Sequence, residues 1–318
     1  MAEKEKISLK GIWAVIKDTF KGFSDDKVTK LSGSLAYYTV FSMGPLLVVL
    51  ISLCGLFLGR EAVEGRVYDI LKNFIGEDTA VQLQELIRNA AISDKSVFAA
   101  IIGVITLLVG ATTVFAVIQD SINSIWGIKP KPKHGWLKIL RNRFLSFSLI
   151  VSLGFLLLVS LLLTGFIEGF SRHLRTMYPD VTVVLFYILN LILTLGVSAL
   201  IFGMIFKVLP DARIRWKDVL AGALVTACLF LIGKFGISFY ISKTKVGSTY
   251  GAAGALVILL VWVYYSSIIL YLGAEFTKAY SMKYGAAIHP KDYAVTVKEV
   301  VEEKGKESIQ EKEKSRGK

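Results

Sequence analysis

The hydrophobic positions of the chain fall into six long runs, which charged segments separate from one another. A helix rises about 1.5 Å per residue, so about 20 apolar residues cross the hydrocarbon core of a bilayer. Each run reaches that length, and the pattern therefore predicts an all-α polytopic membrane protein. The six predicted transmembrane helices are Leu35–Gly59, Val97–Ile118, Phe144–Ile167, Val181–Phe206, Asp218–Tyr240 and Ala252–Glu275.

The six runs divide the chain into an N-terminal segment of residues 1–34, a transmembrane domain of residues 35–275 and a tail of residues 276–318. In the N-terminal segment, apolar residues recur at helical spacing beside Trp13, and lysines flank them. This pattern predicts an amphipathic helix. The helix either lies in the membrane interface or packs on the ends of the bundle.

Two further segments lie outside the predicted spans. Residues 60–96 carry two short helical patterns and predict an external helical hairpin, which would act as a lid, a docking surface or a plain connector. The tail is rich in alternating charges, and we expect disorder from about residue 291 onward.

The charge distribution predicts the orientation in the membrane. The chain has 37 Lys and Arg against 25 Asp and Glu, a net charge of +12. Of the 37 basic residues, 27 lie on the side of the predicted bundle that holds both termini, and nine lie on the other side. Since basic segments stay in the cytoplasm, both termini are predicted to be cytoplasmic. Anionic lipid headgroups are then the expected partners of the basic face, and nucleic acid is not.

Polar residues inside the last spans are candidates for a substrate pathway, because such residues are costly in hydrocarbon. Tyr264, Ser267, Tyr271 and Glu275 share one helix face and form a polar stripe, which either holds the bundle together or lines a wet pathway. Asn190, with Thr194 one turn later, is the expected partner of this stripe. For Glu275, an ion pair with the nearby Lys278 is the simpler interpretation.

Lys234 and three residues of the first span complete the candidate set. Lys234 lies in the fifth predicted span and either faces a cavity or extends its ammonium group to the headgroups. Tyr37 and Tyr38 make the start of the first span polar, and Pro45 predicts a kink there.

The sequence lacks the patterns that enzymes and metalloproteins use. His134, His173 and His289 are scattered without metal-ligand spacing, and there is no phosphate-binding glycine loop. Cys54 and Cys228 lie inside apolar runs as small hydrophobic residues. We expect no cofactor, no metal site and no enzymatic activity.

Two segments resemble the YihY/BrkB family, also known as the virulence factor BrkB family. They are LAYYTVFSMGPLL at the start of the first span and WVYYSSIILYLGAEF at the end of the last one. The resemblance covers roughly residues 10–285, and the Gly-Ala-Glu ending is its most specific part. It implies a bacterial inner-membrane protein with six spans, whose relatives have been linked to serum resistance and to lipid or lipopolysaccharide export. Some relatives carried the label ribonuclease BN.

Three functional hypotheses follow. The leading one is a transporter or flippase-like protein for a lipid or amphipathic envelope substrate. The alternative is an envelope scaffold that does not transport and recruits an unidentified protein partner. A membrane-bound ribonuclease is a remote third, because the His and Asp clusters of a zinc phosphodiesterase are missing. The sequence is also compatible with a homo-oligomer.

Overall fold

The structure is a computed structural model that describes residues 8–42, 97–131, 179–244 and 254–297, together with the single positions 152, 156 and 159. Six helices and four short strands lie in these ranges. In chain order they are α1 (Leu9–Asp25), α2 (28–42), α3 (Val97–Ile125), β1 (Ile128–Pro130), α4 (Pro179–Val208), β2 (Ala212–Arg213), α5 (Trp216–Thr244), α6 (Gly254–Tyr284), β3 (His289–Pro290) and β4 (Ala294–Thr296).

Three helices of the described chain are long and apolar enough to cross a membrane. They contain the spans Val184–Val208, Trp216–Ile237 and Leu256–Tyr284, and they confirm the fourth, fifth and sixth predicted spans as helices. The second predicted span also lies in a helix, α3. Pro45 and the external hairpin at 60–96 lie outside the described residues. The third predicted span also lies outside them, apart from the single positions 152, 156 and 159.

The N-terminal helices α1 and α2 are joined by a two-residue turn. Ser8 caps α1, because its hydroxyl accepts a hydrogen bond from the backbone N–H of Gly11 at 3.1 Å. Asp26 ends the helix, and Lys27 adopts a left-handed conformation with φ of 51°. Helix α2 therefore starts at residue 28 and runs through the predicted boundary between residues 34 and 35. The earlier start has a physical reason, since Val28 is already fully buried.

Helix α5 packs against both α4 and α6, and its contact with α6 is unusually close. Gly222 and Thr226 of α5 face Thr277 and Gly273 of α6, so that each glycine lies beneath the threonine of the other helix. Each threonine hydroxyl donates to the carbonyl of the glycine four residues earlier in its own helix, at 2.6 Å from Thr226 and 2.7 Å from Thr277. Glycines at these two positions let the backbones approach, as is typical of membrane helices.

Two small antiparallel sheets hold residues 289–296, which follow α6, against the helix ends. Strand β1 pairs with β4, with Lys129 opposite Val295, and β2 pairs with β3, with Arg213 opposite His289. Neither sheet was predicted from the sequence. The described residues run to 297 and include β4 at Ala294–Thr296, whereas disorder was expected from about residue 291. The reason is that each strand has its partner more than 70 residues away, and no local pattern reveals such pairing.

We predict that Gly222→Ala or Gly273→Ala weakens the α5–α6 packing. An added Cβ at either position would collide with the facing threonine hydroxyl, and overpacking of this kind costs about 1–3 kcal/mol of stability. The apparent melting temperature in detergent should therefore fall. Gly236→Ala, on α5 like Gly222, is the matched control. Its Cβ would meet no atom within 4 Å, so stability should stay equal or rise. Equal losses at all three positions would contradict this packing.

Candidate functional site

One end of the helix bundle gathers most of the buried polar groups, and we call it the capped end. It consists of α1, the turn at 26–27, the end of α3, the loop 209–215, the last turns of α6 and residues 285–297. Buried charged or amide side chains at this end include Gln119, Asn123, Asp211, Asp218 and Glu275. Since burial of such groups is costly unless they are paired, the capped end is where a built site is expected.

Helix α1 has three distinct faces. Gly11, Val15 and Thr19 form a narrow buried face that packs along α6. Leu9 and Trp13 belong to an apolar face that is left uncovered, with 89% and 69% of their surfaces exposed. A third face carries lysines. The structure shows the packing of α1 on the bundle that the sequence offered as one interpretation. The exposed apolar face has the character of an interfacial helix, and its place in a membrane stays a prediction.

Two glycines of α1 allow α6 to approach closely. A Cβ at Gly11 would collide with the hydroxyl of Tyr284, and a Cβ at Gly22 would collide with the carboxyl group of Glu275. The backbone of α1 thus covers Glu275 directly. This contact explains why an acidic side chain at this position is only 1% exposed.

Glu275 shares a single cation with Asp26. The ammonium group of Lys278 lies 3.0 Å from Oδ2 of Asp26 and 3.5 Å from Oε2 of Glu275. Oε1 of Glu275 has no hydrogen-bond partner among the described residues. The ion pair expected between Glu275 and Lys278 is therefore present, but the shorter contact of the lysine is with Asp26.

A cleft of about 320 Å³ opens between α1 and α6 beside this cluster. It carries charges of both signs and one large apolar side chain, Met282, which is 76% exposed. The residues that line it are Asp18, Gly22, Glu275, Lys278, Ala279, Met282 and Lys283.

The length of α6 exceeds the thickness of the hydrocarbon core of a bilayer, and this difference bears on the depth of the cleft. The helix has 31 residues, or about 46 Å at 1.5 Å per residue, whereas the hydrocarbon core is about 30 Å thick. If its first turn lies at one interface, Glu275 lies about 32 Å further along the axis. The carboxyl group is then at the opposite interface, among the headgroups.

The polar stripe predicted on α6 is largely buried. Ser267 is 2% exposed, and its hydroxyl donates to the carbonyl of Val263 at 2.7 Å. Tyr271 is fully buried, and its hydroxyl has no hydrogen-bond partner among the described residues. Tyr264 is half-buried. Of the four stripe residues, Glu275 is the one that lines the cleft.

The other predicted pathway residues lie on exposed surfaces away from the cleft. Lys234 is exposed on α5, between the exposed Ile232 and Phe235. Asn190 is exposed on α4, and its carbonyl accepts a hydrogen bond from Thr194 at 2.8 Å. Tyr37 and Tyr38 are 56% and 40% exposed on α2, with their rings edge to face. The structure does not bring these residues together with Glu275.

The residues of α1 and of the turn after it that complete the cleft were not predicted from the sequence. Asp18, Gly22 and Asp26 lie on a charged helix where acidic residues and glycines are ordinary. One local pattern could have indicated this close contact. Gly11, Val15, Thr19 and Gly22 are small or β-branched, and they share a helix face that is separate from the face of the large apolar residues.

Asp211, also missed from the sequence, holds the rest of the capped end together. Its carboxylate accepts hydrogen bonds from Gln119 at 3.0 Å, Asn123 at 3.0 Å and Tyr293 at 3.1 Å. Its backbone N–H donates to Oδ1 of Asn123 at 2.8 Å, and its carbonyl accepts from the N–H of Lys291. One buried side chain thus joins α3, the loop after α4 and the C-terminal residues.

The fold and the capped end define a multi-pass integral membrane protein with a polar, closely packed helix end. Within the described residues, no group of three or more His, Cys, Asp or Glu side chains could hold a metal ion. The chain matches the family Virulence factor BrkB over residues 19–294, and it belongs to that family. This confirms the resemblance seen in the first and last spans.

Relatives of similar length carry the description UPF0761 membrane protein. One from Tolumonas auensis is 30% identical over 259 residues, which cover 79% of this chain and 80% of the relative. One from Pseudoalteromonas translucida is 31% identical over 81% of this chain and 82% of its own length. A third, from Aliivibrio salmonicida, is 30% identical over 87% and 86%. No solved structure matches the chain.

We predict that Asp211→Ala detaches the C-terminal residues from the helix ends. The substitution leaves the buried donors of Gln119, Asn123 and Tyr293 without their acceptor, which costs about 3 kcal/mol. The apparent melting temperature in detergent should fall, and limited proteolysis should cut within residues 285–297. Asp292→Ala is the control, since Asp292 pairs with Arg213 at an exposed position where an ion pair adds little stability. Wild-type proteolysis of Asp211→Ala would contradict this role.

Proposed function

We propose that the protein is a transporter or flippase-like protein, which moves a lipid or another amphipathic substrate across the bacterial cytoplasmic membrane. The observation that carries this proposal is the cleft between α1 and α6. It places charges of both signs at headgroup depth on a protein whose α1 also exposes an apolar face. An amphipathic molecule has the same two properties, a charged head and an apolar body.

The orientation in this proposal follows from the basic residues. The capped end lies on the side that holds 27 of the 37 Lys and Arg, so we place it in the cytoplasm. The exposed apolar face of α1 would then enter the inner leaflet, and its lysines would meet anionic headgroups. No covalent chemistry is required, and we propose no enzymatic activity.

Lys234 is the candidate contact on the opposite side. It is an exposed cation within an apolar helix surface, about 26 Å along α5 from Lys217 at the capped end. An ammonium group at this position would bind the phosphate or carboxylate of a substrate that leaves or enters the outer leaflet.

We predict that Lys234→Met slows lipid translocation in proteoliposomes by about tenfold or more. A charge-assisted hydrogen bond contributes about 1.5–3 kcal/mol, and each 1.4 kcal/mol of barrier changes a rate about tenfold. Fluorescent lipids with anionic and with zwitterionic headgroups would be followed in vesicles with the protein and in empty vesicles. The effect should be larger for the anionic headgroup.

Lys217→Met is the matched control, because it removes an exposed lysine from the first turn of the same helix. It should translocate lipid at the wild-type rate. An unchanged rate in Lys234→Met would remove Lys234 from the pathway. No movement above that of empty vesicles, from folded wild-type protein and with every headgroup, would contradict the transport proposal itself.

A scaffold that does not transport is the second candidate function, and the hydrogen bonds around Asp211 favour it. The buried hydrogen bonds of Asp211 fix the C-terminal residues to the bundle as a rigid platform, from which the charged tail continues. In that case, loss of the polar groups of the capped end would lower stability or partner binding and leave lipid movement at background.

A further inference from the structure

Two carboxyl groups and one ammonium group meet where α1 ends against α6. The ammonium group of Lys278 lies 3.0 Å from Oδ2 of Asp26 and 3.5 Å from Oε2 of Glu275, so both carboxyl groups contact the same cation. Glu275 is 1% exposed, and its Oε1 has no donor among the described residues. This cluster has therefore more acceptor atoms than donors.

An ionised carboxylate can only accept hydrogen bonds, whereas a protonated one can also donate. Two ionised carboxylates that share one cation repel each other, and this repulsion favours the protonated form of one of them. The charge balance leads to the same conclusion. Asp26 and Glu275 would carry two negative charges against the single positive charge of Lys278, and one bound proton makes the cluster neutral.

The remaining charged groups around the cluster leave this balance in place. On the α1 side the cleft is lined by Asp18, and on the α6 side by Lys278 and Lys283. Beside the cluster, α6 contacts α5 through the uncharged Gly222, Thr226, Gly273 and Thr277, and Trp126 donates to the carbonyl of Ala274. The acid Asp218 at the start of α5 is paired with Arg215. The cleft gives the buried carboxyl group a direct route to the aqueous phase.

We propose that Asp26 and Glu275 form a binding site for one proton, which is exchanged through the cleft and which holds α1 against α6. The pair of carboxyl groups holds this proton, and Oε1 of Glu275, which has no donor among the described residues, is available to carry it. When it leaves, the second negative charge is buried beneath the backbone of Gly22, and hydration of Glu275 requires α1 to move away. The site does not depend on the transport proposal, although a substrate flux through the cleft would then follow pH.

The sign of the effect follows from the charge of the bound form. The neutral, proton-bound pair is compatible with burial, so α1 is docked on the acidic side of the transition. As the pH rises, the pair loses its proton, and the contact between α1 and α6 weakens.

Infrared spectroscopy of the full chain in lipid vesicles tests the proton directly. We predict a carbonyl band of a protonated carboxyl group that is present at neutral pH and is lost at alkaline pH. Glu275→Gln should lack the band, and so should Asp26→Asn, since the loss of the second negative charge leaves Lys278 to pair with Glu275 alone and allows it to ionise. Asp18→Asn is the matched control, because it removes a neighbouring acid of the cleft outside the pair, and it should keep the band.

Hydrogen exchange of residues 9–25 tests the consequence for α1. In the wild type, exchange should increase as the band disappears. In Glu275→Gln, whose amide remains neutral, it should stay slow at every pH. If Glu275→Gln does not fold, Lys278→Gln provides the second variant: loss of the cation should preserve the band to a higher pH. A wild type without the band at neutral pH, or a band unchanged in both Glu275→Gln and Asp26→Asn, would overturn the proposal.

Discussion

The structure depends on close helix contacts in which glycine lies opposite a polar side chain. Gly222 and Gly273 lie beneath threonines where α5 meets α6, and Gly22 lies beneath Glu275 where α1 meets α6. Within a membrane there is little hydrophobic gain from bringing helices together, so van der Waals contact and hydrogen bonds must stabilise the bundle. A Cβ at these glycines would separate the helices and expose the polar groups that they cover.

The same contacts decide where charge is buried. Helices α1, α3, α4 and α6 end at the capped end, and the buried carbonyls and side chains there need hydrogen-bond partners within the protein. Asp211 and Trp126 supply such partners through hydrogen bonds to α3, to α6 and to the C-terminal residues. Glu275 differs, because one of its oxygens lacks a donor among the described residues. A cluster whose hydrogen bonds are satisfied and a carboxyl group with an unpaired oxygen thus lie side by side at this end.

These observations connect the proposed transport with the proposed proton. Helix α1 packs through small residues, exposes an apolar face and covers the carboxyl group of Glu275. A change in the charge of that group would change the position of a helix that the transport proposal places at the membrane surface. Lys234 lies near the other end of the bundle, so a substrate that met it and the cleft would have crossed most of the membrane.

The sequence by itself determined the class of protein, because twenty-residue apolar runs have no other stable environment. It also determined the family, through the segments around Tyr37 and Glu275, and the amphipathic character of α1. Only the tertiary structure decided which polar residues meet. The stripe of α6 was visible from helical spacing, but Asp26 and Glu275 are far apart in the chain, and Asp211 has its partners at distances of more than 80 residues. Helical period identifies a face of one element, whereas the pairing of faces depends on how the helices pack against one another.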